Sequence, residues 1–226
     1  MDAMRSILDF GCGSGRVIRY WSKLSAAVHG TDYNPELVRW CQRHLPFATF
    51  QVNQTMPPLG YPNDTFDLVY ALSVFTHLDE VGQLSWIREL RRIARPGGYV
   101  LITTHGPAPC YLRSLSPAQQ ARFHDGQLVI NEGGPVGSNP FGAYHPESYV
   151  RGTLSEGFAV VAYLEGERSE TPIRISTCSG NCRRSRWLAA ERNADAHAGL
   201  TRPRRGHAVS GARHDKERQG RRRPAG

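Results

Sequence analysis

The chain of 226 residues has no run of about 20 apolar residues, the length that a membrane-spanning helix requires. Its N-terminus, MDAMRSILDF, lacks the basic, apolar and small-residue zones of a signal peptide, so we expect a cytoplasmic protein without membrane contact. Only five cysteines occur, and none forms a C-x-x-C pair. Cys178 and Cys182 are four residues apart without a neighbouring histidine, so we expect no zinc or other metal site.

Excess positive charge is confined to the end of the chain. Residues 1–166 contain 13 Lys or Arg and 14 Asp or Glu. Residues 167–226 contain 15 Lys or Arg and 6 Asp or Glu. From residue 183 onward only four large apolar residues occur, too few to offset the conformational entropy lost on folding. We therefore predict one domain over residues 1–166 and a basic, disordered tail over residues 167–226.

The basic tail is the only feature that points toward nucleic acid. Lys and Arg side chains bind phosphates. However, the tail has no interleaved aromatic residues on which bases could stack, and most charge runs are simply solvated. We therefore do not expect a nucleic-acid partner, and any such binding would act through the tail alone.

Short apolar runs alternate with amphipathic stretches in the first domain. The predicted strands are 6–10, 27–31, 48–52, 66–72, 99–104 and 158–164, and the predicted helices are 16–24, 35–44, 81–94, 117–124 and 146–156. This alternation favours βαβ units, and therefore an α/β fold with a doubly wound, mostly parallel sheet. The rest of the stretch 107–145 is predicted to be irregular.

A glycine-rich turn, Gly11-Cys12-Gly13-Ser14-Gly15, follows the first strand. Glycines let the backbone turn sharply, and a helix N-terminus behind them attracts a carboxylate or phosphate. The spacing G-x-G-x-G followed by Arg16 departs from the G-x-G-x-x-G dinucleotide fingerprint, and no G-K-[ST] is present. NAD and nucleoside triphosphates are therefore disfavoured, and a tight strand-to-helix turn without a ligand remains the alternative.

An acidic residue, Asp32, ends the second predicted strand, 17 positions after Gly15. A carboxylate at this place can accept hydrogen bonds from both hydroxyls of a ribose. The alternative is that Asp32 serves only as the N-cap of the helix that begins at Pro35.

Four segments occur in an order that resembles the class I S-adenosylmethionine-dependent methyltransferases: LDFGCGSG, TDYNPE, FDLVYALSVFTHL and RPGG before a strand. They cover about residues 6–105, and the later AYHPESYVRGTLSEGF is similar to a bacterial small-molecule subgroup. The resemblance implies a Rossmann-like fold, S-adenosylmethionine as cofactor and methyl transfer to a small-molecule acceptor. The alternatives are an inactive or regulatory cofactor-binding domain and a nicotinamide-dependent oxidoreductase.

The resemblance also implies which residues bind the methionine half of the cofactor. Gly11, Gly13 and Gly15 would line it. Asp9 would support this loop and reach the cofactor's amino group, directly or through water.

The other half of the cofactor falls, by the same resemblance, on residues after the second, third and fourth strands. Asp32 would hold the ribose, and Tyr33 would pack against the adenine. Asn53, where the family often has Asp, would accept a hydrogen bond from the adenine amino group. Leu72 and Ser73 would lie beside the sulfonium.

A base is optional in this reaction, because a methyl sulfonium is already strongly electrophilic and needs mainly alignment and exclusion of water. His77 is the candidate base, since it follows the fourth strand at the ligand-binding edge of the sheet and imidazole titrates near neutral pH. It could instead cap or pack the loop. His105 and His145 are lesser candidates on the same argument.

The acceptor pocket is expected from residues 106–145. Aromatic and other side chains there could line it, or could pack within an ordinary loop: Pro107, Phe123, Phe141, Tyr144 and His145.

Both ends of the domain depart from the family pattern. Only six residues precede Ile7, where relatives usually have helices that cover the cofactor, so we expect weaker cofactor retention. The seventh strand, expected as Q-D-x-Y-x-L, reads PIRISTCSG, although alternation in Ile173-Arg174-Ile175 still favours a strand. Codons can be chosen that encode residues 171–182 and that, when the same bases are read in a frame shifted by two, encode PDQDIYVLRKL. We therefore hypothesise a frameshift between residues 165 and 171, which sequencing of the gene would test.

Overall fold

The computed structural model describes residues 4–164 and 171–177. Its strands are β1 (Ser6–Phe10), β2 (Ala27–Asp32), β3 (Thr49–Val52), β4 (Phe66–Ala71), β5 (Ala94–Thr104), β6 (Val129–Glu132), β7 (Phe141–Tyr144), β8 (Phe158–Tyr163) and β9 (Thr171–Thr177). Seven of them form one sheet in the order β3-β2-β1-β4-β5-β9-β8, while β6 and β7 form a separate antiparallel hairpin. The first five strands are parallel, and β9 is antiparallel to both of its neighbours. The predicted α/β fold with a mostly parallel sheet is confirmed.

The helices of the described residues are α1 (Pro35–His44), α2 (Glu80–Ile93), α3 (Pro109–Leu112), α4 (Pro117–His124) and α5 (Glu147–Tyr149). Single 3-10 turns form at Ile18–Trp21 and Phe75–His77, and α5 continues into a π-helical turn, Val150–Leu154. The helix predicted over 16–24 is wrong. There the Tyr20 N–H donates to the Val17 carbonyl, three residues back, at 3.1 Å, which tightens the segment into a 3-10 turn. None of these helices has the length and apolar composition needed to cross a bilayer.

Two buried clusters hold the helices to the sheet. Trp86, Leu90 and Ile93 of α2 belong to the larger one, together with apolar side chains of β1, β4 and β5. A second cluster joins α1 to β2 and contains Val38 and Cys41. Full burial of an aliphatic side chain of this size contributes roughly 1.5–3 kcal/mol, so these contacts fix where each strand ends.

The parallel strands β1, β2 and β4 run side by side in register and end at the same edge of the sheet. Phe10 pairs with Thr31, and Asp9 pairs with Tyr70. The loops that follow the three strands therefore meet at the carboxyl edge, where open α/β sheets bind their ligands.

Strand β9 lies beyond residue 166, where the sequence predicted the end of the domain. Ile175 is fully buried and pairs with Val100 of β5 and Val160 of β8. The domain therefore includes residues 171–177, as the alternation of isoleucines indicated. The tail from 178 and residues 165–170 lie outside the described residues, so the disorder and the frameshift stay predictions.

The stretch 107–145 contains more structure than its sequence predicted. Besides α4, it forms the β6–β7 hairpin, with a small core of its own that includes Phe123, Val129 and Tyr144. Strands of four residues are too short to produce a recognisable period, which is why the hairpin was missed.

Candidate functional site

The glycine loop after β1 is held in a conformation that favours glycine. Gly11, Gly13 and Gly15 have φ angles of +78°, +53° and +69°. A Cβ at Gly11 would collide with Val74, and one at Gly15 with Leu45, whereas a Cβ at Gly13 would meet no atom within 4 Å. At two of the glycines a neighbouring side chain would have to move to admit a Cβ, whereas the third leaves the backbone open to a ligand.

Asp32 at the end of β2 is fixed by two backbone donors. Its Oδ2 accepts a hydrogen bond from the Gly13 N–H and its Oδ1 one from the Asn34 N–H, both at 2.8 Å. The N-cap of α1 is Asn34, whose side chain accepts from the amides of Glu36 and Leu37. The alternative role of Asp32 as the helix cap is therefore wrong. Each carboxylate oxygen keeps a lone pair for a further donor.

Asp9 is buried at the end of β1. Burial raises the pKa of its carboxyl to about 7, a hydrogen bond from the Tyr70 hydroxyl opposes this shift, and the nearby negative charge of Asp32 adds to it. Tyr70 in turn accepts a hydrogen bond from the Trp21 indole N–H at 3.1 Å. A carboxyl with this pKa is poised to ionise when a positive group comes close.

A cavity that is partly open to solvent lies at the carboxyl edge of the sheet. Among the predicted site residues, Gly11, Tyr33 and Asn53 line it. Of the others, Asp9 and Asp32 lie in strands β1 and β2, and the rest lie in the loops and turns that follow β1 and β4. The sequence missed the remaining lining residues: Phe10, Gln54, Thr55, Val74, Leu78, Trp86, Val136 and Gly137.

Asn53 offers this cavity a hydrogen-bond acceptor. Its Nδ2 donates to the Gln54 carbonyl at 2.7 Å, and its backbone N–H donates to the Asp32 carbonyl at 3.0 Å. Its Oδ1 is buried and has no hydrogen-bond partner among residues 4–164 and 171–177. Because an unpaired buried acceptor is costly, this atom suits a ligand that brings an N–H group.

The turn after β4 brings Val74 to the cavity, whereas Leu72 and Ser73 do not line it. Ser73 has a positive φ of +59°, which is strained for a residue other than glycine, and its N–H donates to the Thr103 hydroxyl at 2.8 Å. The next residue, Val74, occupies the space that a Cβ on Gly11 would need.

His77 ends the 3-10 turn that follows, and the stretch 107–145 (the insertion) holds it through two contacts. Its Nδ1 lies 3.0 Å from the Phe141 carbonyl oxygen, and its own carbonyl accepts a hydrogen bond from the Gly137 N–H at 2.7 Å. Because a carbonyl only accepts, Nδ1 carries the proton, and the lone pair of a neutral His77 ring is on Nε2. Its ring centroid is 6.5 Å from that of His105, which stacks near Tyr111 at 4.3 Å.

The structure argues against two of the other sequence candidates. His145 is fully buried, and burial lowers its pKa to about 3, so it stays neutral and hydrogen-bonds the Gln83 Oε1 through Nε2 at 3.0 Å. Phe123 belongs to the core of the insertion and is not a lining residue. In the part of the chain that the structure describes, no three His, Cys, Asp or Glu side chains come together as metal ligands.

Comparison with known proteins gives several matches. Residues 8–102 match the family described as "Methyltransferase domain". The chain is 30% identical over 129 residues to the malonyl-[acyl-carrier protein] O-methyltransferase of Pseudescherichia vulneris, covering 56% of this chain and 50% of that protein. It is 27% identical over 135 residues to the ajmaline N-methyltransferase of Rauvolfia serpentina, covering 57% and 44%. The chain thus spans about half the length of these curated relatives.

A solved structure extends the likeness over more of the chain. The crystal structure of a SAM-dependent methyltransferase from Methanosarcina mazei superimposes with a TM-score of 0.60. The superposition covers 79% of this chain and 94% of the Methanosarcina mazei chain, and the two sequences are 20% identical. At this identity the match concerns the fold alone.

Proposed function

We propose that the chain is a class I S-adenosylmethionine-dependent methyltransferase domain that transfers a methyl group from S-adenosylmethionine to a small-molecule acceptor. S-adenosylmethionine is the cofactor of this family. The observation that carries the proposal is the unpaired, buried Oδ1 of Asn53, a residue that lines the cavity. An adenine brings the N–H donor that this oxygen lacks.

The nucleoside half of the cofactor fits the residues next to Asn53. The Asp32 carboxylate is already fixed by two backbone amides, and its remaining lone pairs would accept hydrogen bonds from the ribose hydroxyls. Tyr33, which is 56% exposed and lines the same cavity, would pack its ring on the adenine. Because these groups are held before the ligand binds, little conformational entropy is lost on binding.

The amino-acid half fits the glycine loop and Asp9. The open side of Gly13 would admit it, and the Asp9 carboxylate would face the positive amino group. That charge would lower the pKa of Asp9 from about 7, so Asp9 would release its proton on binding.

When bound, S-adenosylmethionine supplies a methyl group that is activated by the positive sulfur. The chain's own task is then to orient the acceptor and to remove its proton. We propose that Nε2 of His77 takes this proton, because the Phe141 carbonyl keeps the proton of the neutral ring on Nδ1. The ring stays in this tautomer as long as the β6–β7 hairpin is in place.

The names of the two relatives specify methylation at oxygen and at nitrogen, so the acceptor is proposed to present either atom. The half-buried rings of His105 and Tyr111 lie between the end of β5 and the insertion, with their centroids 4.3 Å apart. Such an aromatic surface favours an acceptor with a planar or apolar body.

The experiment combines binding and turnover on the full chain. Calorimetry would measure the affinity of the chain for S-adenosylhomocysteine. Asp32→Asn should weaken this affinity about 10- to 100-fold, because the amide nitrogen of asparagine cannot accept a backbone hydrogen bond as the carboxylate oxygen does. Asp125→Asn, an exposed carboxylate after α4, serves as the matched control. Transfer of a tritiated methyl group to a panel of phenols, carboxylic acids and amines would test catalysis.

The outcomes separate the alternatives. Binding of S-adenosylhomocysteine with transfer to one acceptor class supports the proposal. Binding without transfer to any class favours an inactive or regulatory cofactor-binding domain. Preferential binding of NADH would favour an oxidoreductase.

A further inference from the structure

The tip of the β6–β7 hairpin, residues 133–140 (GGPVGSNP), is a compact turn rather than a loose loop. The Ser138 N–H donates to the Pro135 carbonyl, and the Phe141 N–H donates to the Ser138 carbonyl, both at 3.0 Å. A Cβ at Gly134 would come within 2.9 Å of the Ser138 Oγ. The glycines and prolines thus set a defined shape for the tip, which lets it carry a side chain to a fixed place.

The tip reaches the cavity described above, although β7 is far in sequence from the loops that form the other walls. Val136 and Gly137 line the same cavity as Gly11 and Tyr33. The Gly137 N–H anchors the tip by donating to the His77 carbonyl at 2.7 Å. The insertion is therefore a wall of this cavity as well as part of the acceptor side.

Val136 is 52% exposed, and it is the only aliphatic side chain of the tip apart from the prolines. Tyr33, at 56% exposure, is a second large side chain that lines this cavity and is left open to solvent. Two exposed apolar groups on walls of one cavity match a ligand with an apolar, planar body, because its binding removes both from water.

We propose that Val136 is a cofactor-binding residue that covers the adenosine half of S-adenosylmethionine, so that the insertion closes the donor site. This inference rests on the proposed function. The adenosine half is specified because Asn53, with its unpaired Oδ1, lines the same cavity as Val136, whereas the rings of His105 and Tyr111 on the acceptor side do not line it.

The inference also links cofactor binding to the positioning of the proposed base, His77. The hairpin that carries Val136 holds the His77 ring through the Phe141 carbonyl and the His77 backbone through Gly137. A cofactor that packs on Val136 therefore stabilises the element that orients the proposed base. Loss of the Val136 side chain should therefore weaken cofactor affinity.

Calorimetry on the full chain tests this with two probes, S-adenosylhomocysteine and 5′-methylthioadenosine, which lacks the amino acid. Val136→Ser should weaken both by about tenfold, as expected when about two buried methyl groups are lost. Val136→Leu, which keeps an apolar side chain, should bind both within about threefold of the unchanged protein. Val161→Ser on β8, 44% exposed and outside the cavity lining, is the matched control and should bind as the unchanged protein does.

Three results would count against the inference. Equal binding by Val136→Ser and the unchanged protein would overturn it. A loss with S-adenosylhomocysteine but not with methylthioadenosine would also overturn it, because Val136 would then cover the amino-acid half. Failure of the unchanged protein to bind either probe would overturn the proposed function and this inference with it. Thermal unfolding of each variant verifies that the exposed tip is changed without loss of folding.

Discussion

The Gly13 N–H donates a hydrogen bond of 2.8 Å to Oδ2 of Asp32, which ties the loop after β1 to the end of β2. On its other side, the Gly13 carbonyl accepts a hydrogen bond from the Cys41 thiol of α1 at 3.4 Å. The peptide groups around Gly13 are thus held at both ends by two different elements. The loop is therefore preorganised, so a ligand that binds there causes little further loss of conformational entropy.

Gly13→Ala should weaken S-adenosylhomocysteine binding by at least about tenfold. The added Cβ meets no protein atom within 4 Å, so it occupies space open to a ligand. Alanine at φ +53° costs about 1 kcal/mol of stability. Gly97→Ala is the matched control, since its φ is +80°, its Cβ is also unobstructed and it lies near the amino end of β5. Calorimetry and thermal unfolding should show a similar loss of stability in both variants and weaker binding in Gly13→Ala alone.

His77→Asn should lower kcat by about a hundredfold or more while cofactor affinity stays the same. The asparagine amide can still donate to the Phe141 carbonyl, but it has no basic nitrogen at the Nε2 position. His44→Asn on α1 is the control, because the His44 Nδ1 makes the same kind of contact with the Trp40 carbonyl at 2.8 Å. Full turnover by His77→Asn, measured by steady-state kinetics, would refute the base.

Asp9 should make the stability of the cofactor-free domain depend on pH. Its pKa is about 7 in the folded protein and near 3.8 when unfolded, because burial favours the protonated form. The folded state therefore holds the proton more tightly, and the stabilisation is complete below pH 3.8 and is lost as the pH rises through 7. At about 1.4 kcal/mol for each pKa unit, the whole effect is on the order of 4 kcal/mol.

Asp9→Asn provides the comparison for this pH effect, because an amide does not titrate. Thermal unfolding of the variant between pH 5 and 8 should change less with pH than that of the unchanged protein. Asp125→Asn, on the surface, should leave the pH dependence as it was. Parallel curves for Asp9→Asn and the unchanged protein would contradict the assignment.

Gln83→Leu should destabilise the domain by about 3 kcal/mol. The Gln83 amide is buried and donates to the carbonyls of Phe75 and Leu78 at 3.2 and 2.9 Å, while its Oε1 accepts from His145. Leucine leaves these buried groups unpaired, each at a cost of about 1–3 kcal/mol. Because the same contacts support the turn that carries His77, turnover should fall as well.

Gln120→Leu is the matched control for Gln83. The Gln120 amide likewise donates to two carbonyls, of Leu112 and Leu115, both at 3.0 Å, but it is only partly buried. Water can replace its hydrogen bonds, so chemical denaturation should show a loss of about 1 kcal/mol. Equal losses in the two variants would mean that burial of Gln83 is not what matters.

Two histidines that follow strands, His77 and His145, differ in a way that the sequence does not show. His77 and His145 both follow strands, and both could be candidate bases from the sequence. In the structure His77 is half-buried with a lone pair on Nε2, whereas His145 is enclosed and paired with Gln83. Exposure separates the two, and exposure depends on which other segments pack against each ring.

Asp32 and Val136 illustrate the same limit of the sequence within the proposed cofactor site. The place of Asp32 at the end of a strand is evident from local pattern, because parallel strands end at a common edge. Val136 is in a loop of glycine and proline whose sequence carries no sign of the cavity. Val136 lines the same cavity as Gly11 and Tyr33, which lie more than 100 positions away along the chain.

The α/β class, the glycine loop and the position of Asp32 are evident from the sequence, because strand and helix periods and the φ preferences of glycine are local properties of the chain. The place of β9 between β5 and β8, the capping of α1 by Asn34 rather than Asp32, and the position of Val136 at the cavity are visible in the tertiary structure alone. These features come from contacts between distant segments. Such contacts depend on packing and burial, which no local pattern records.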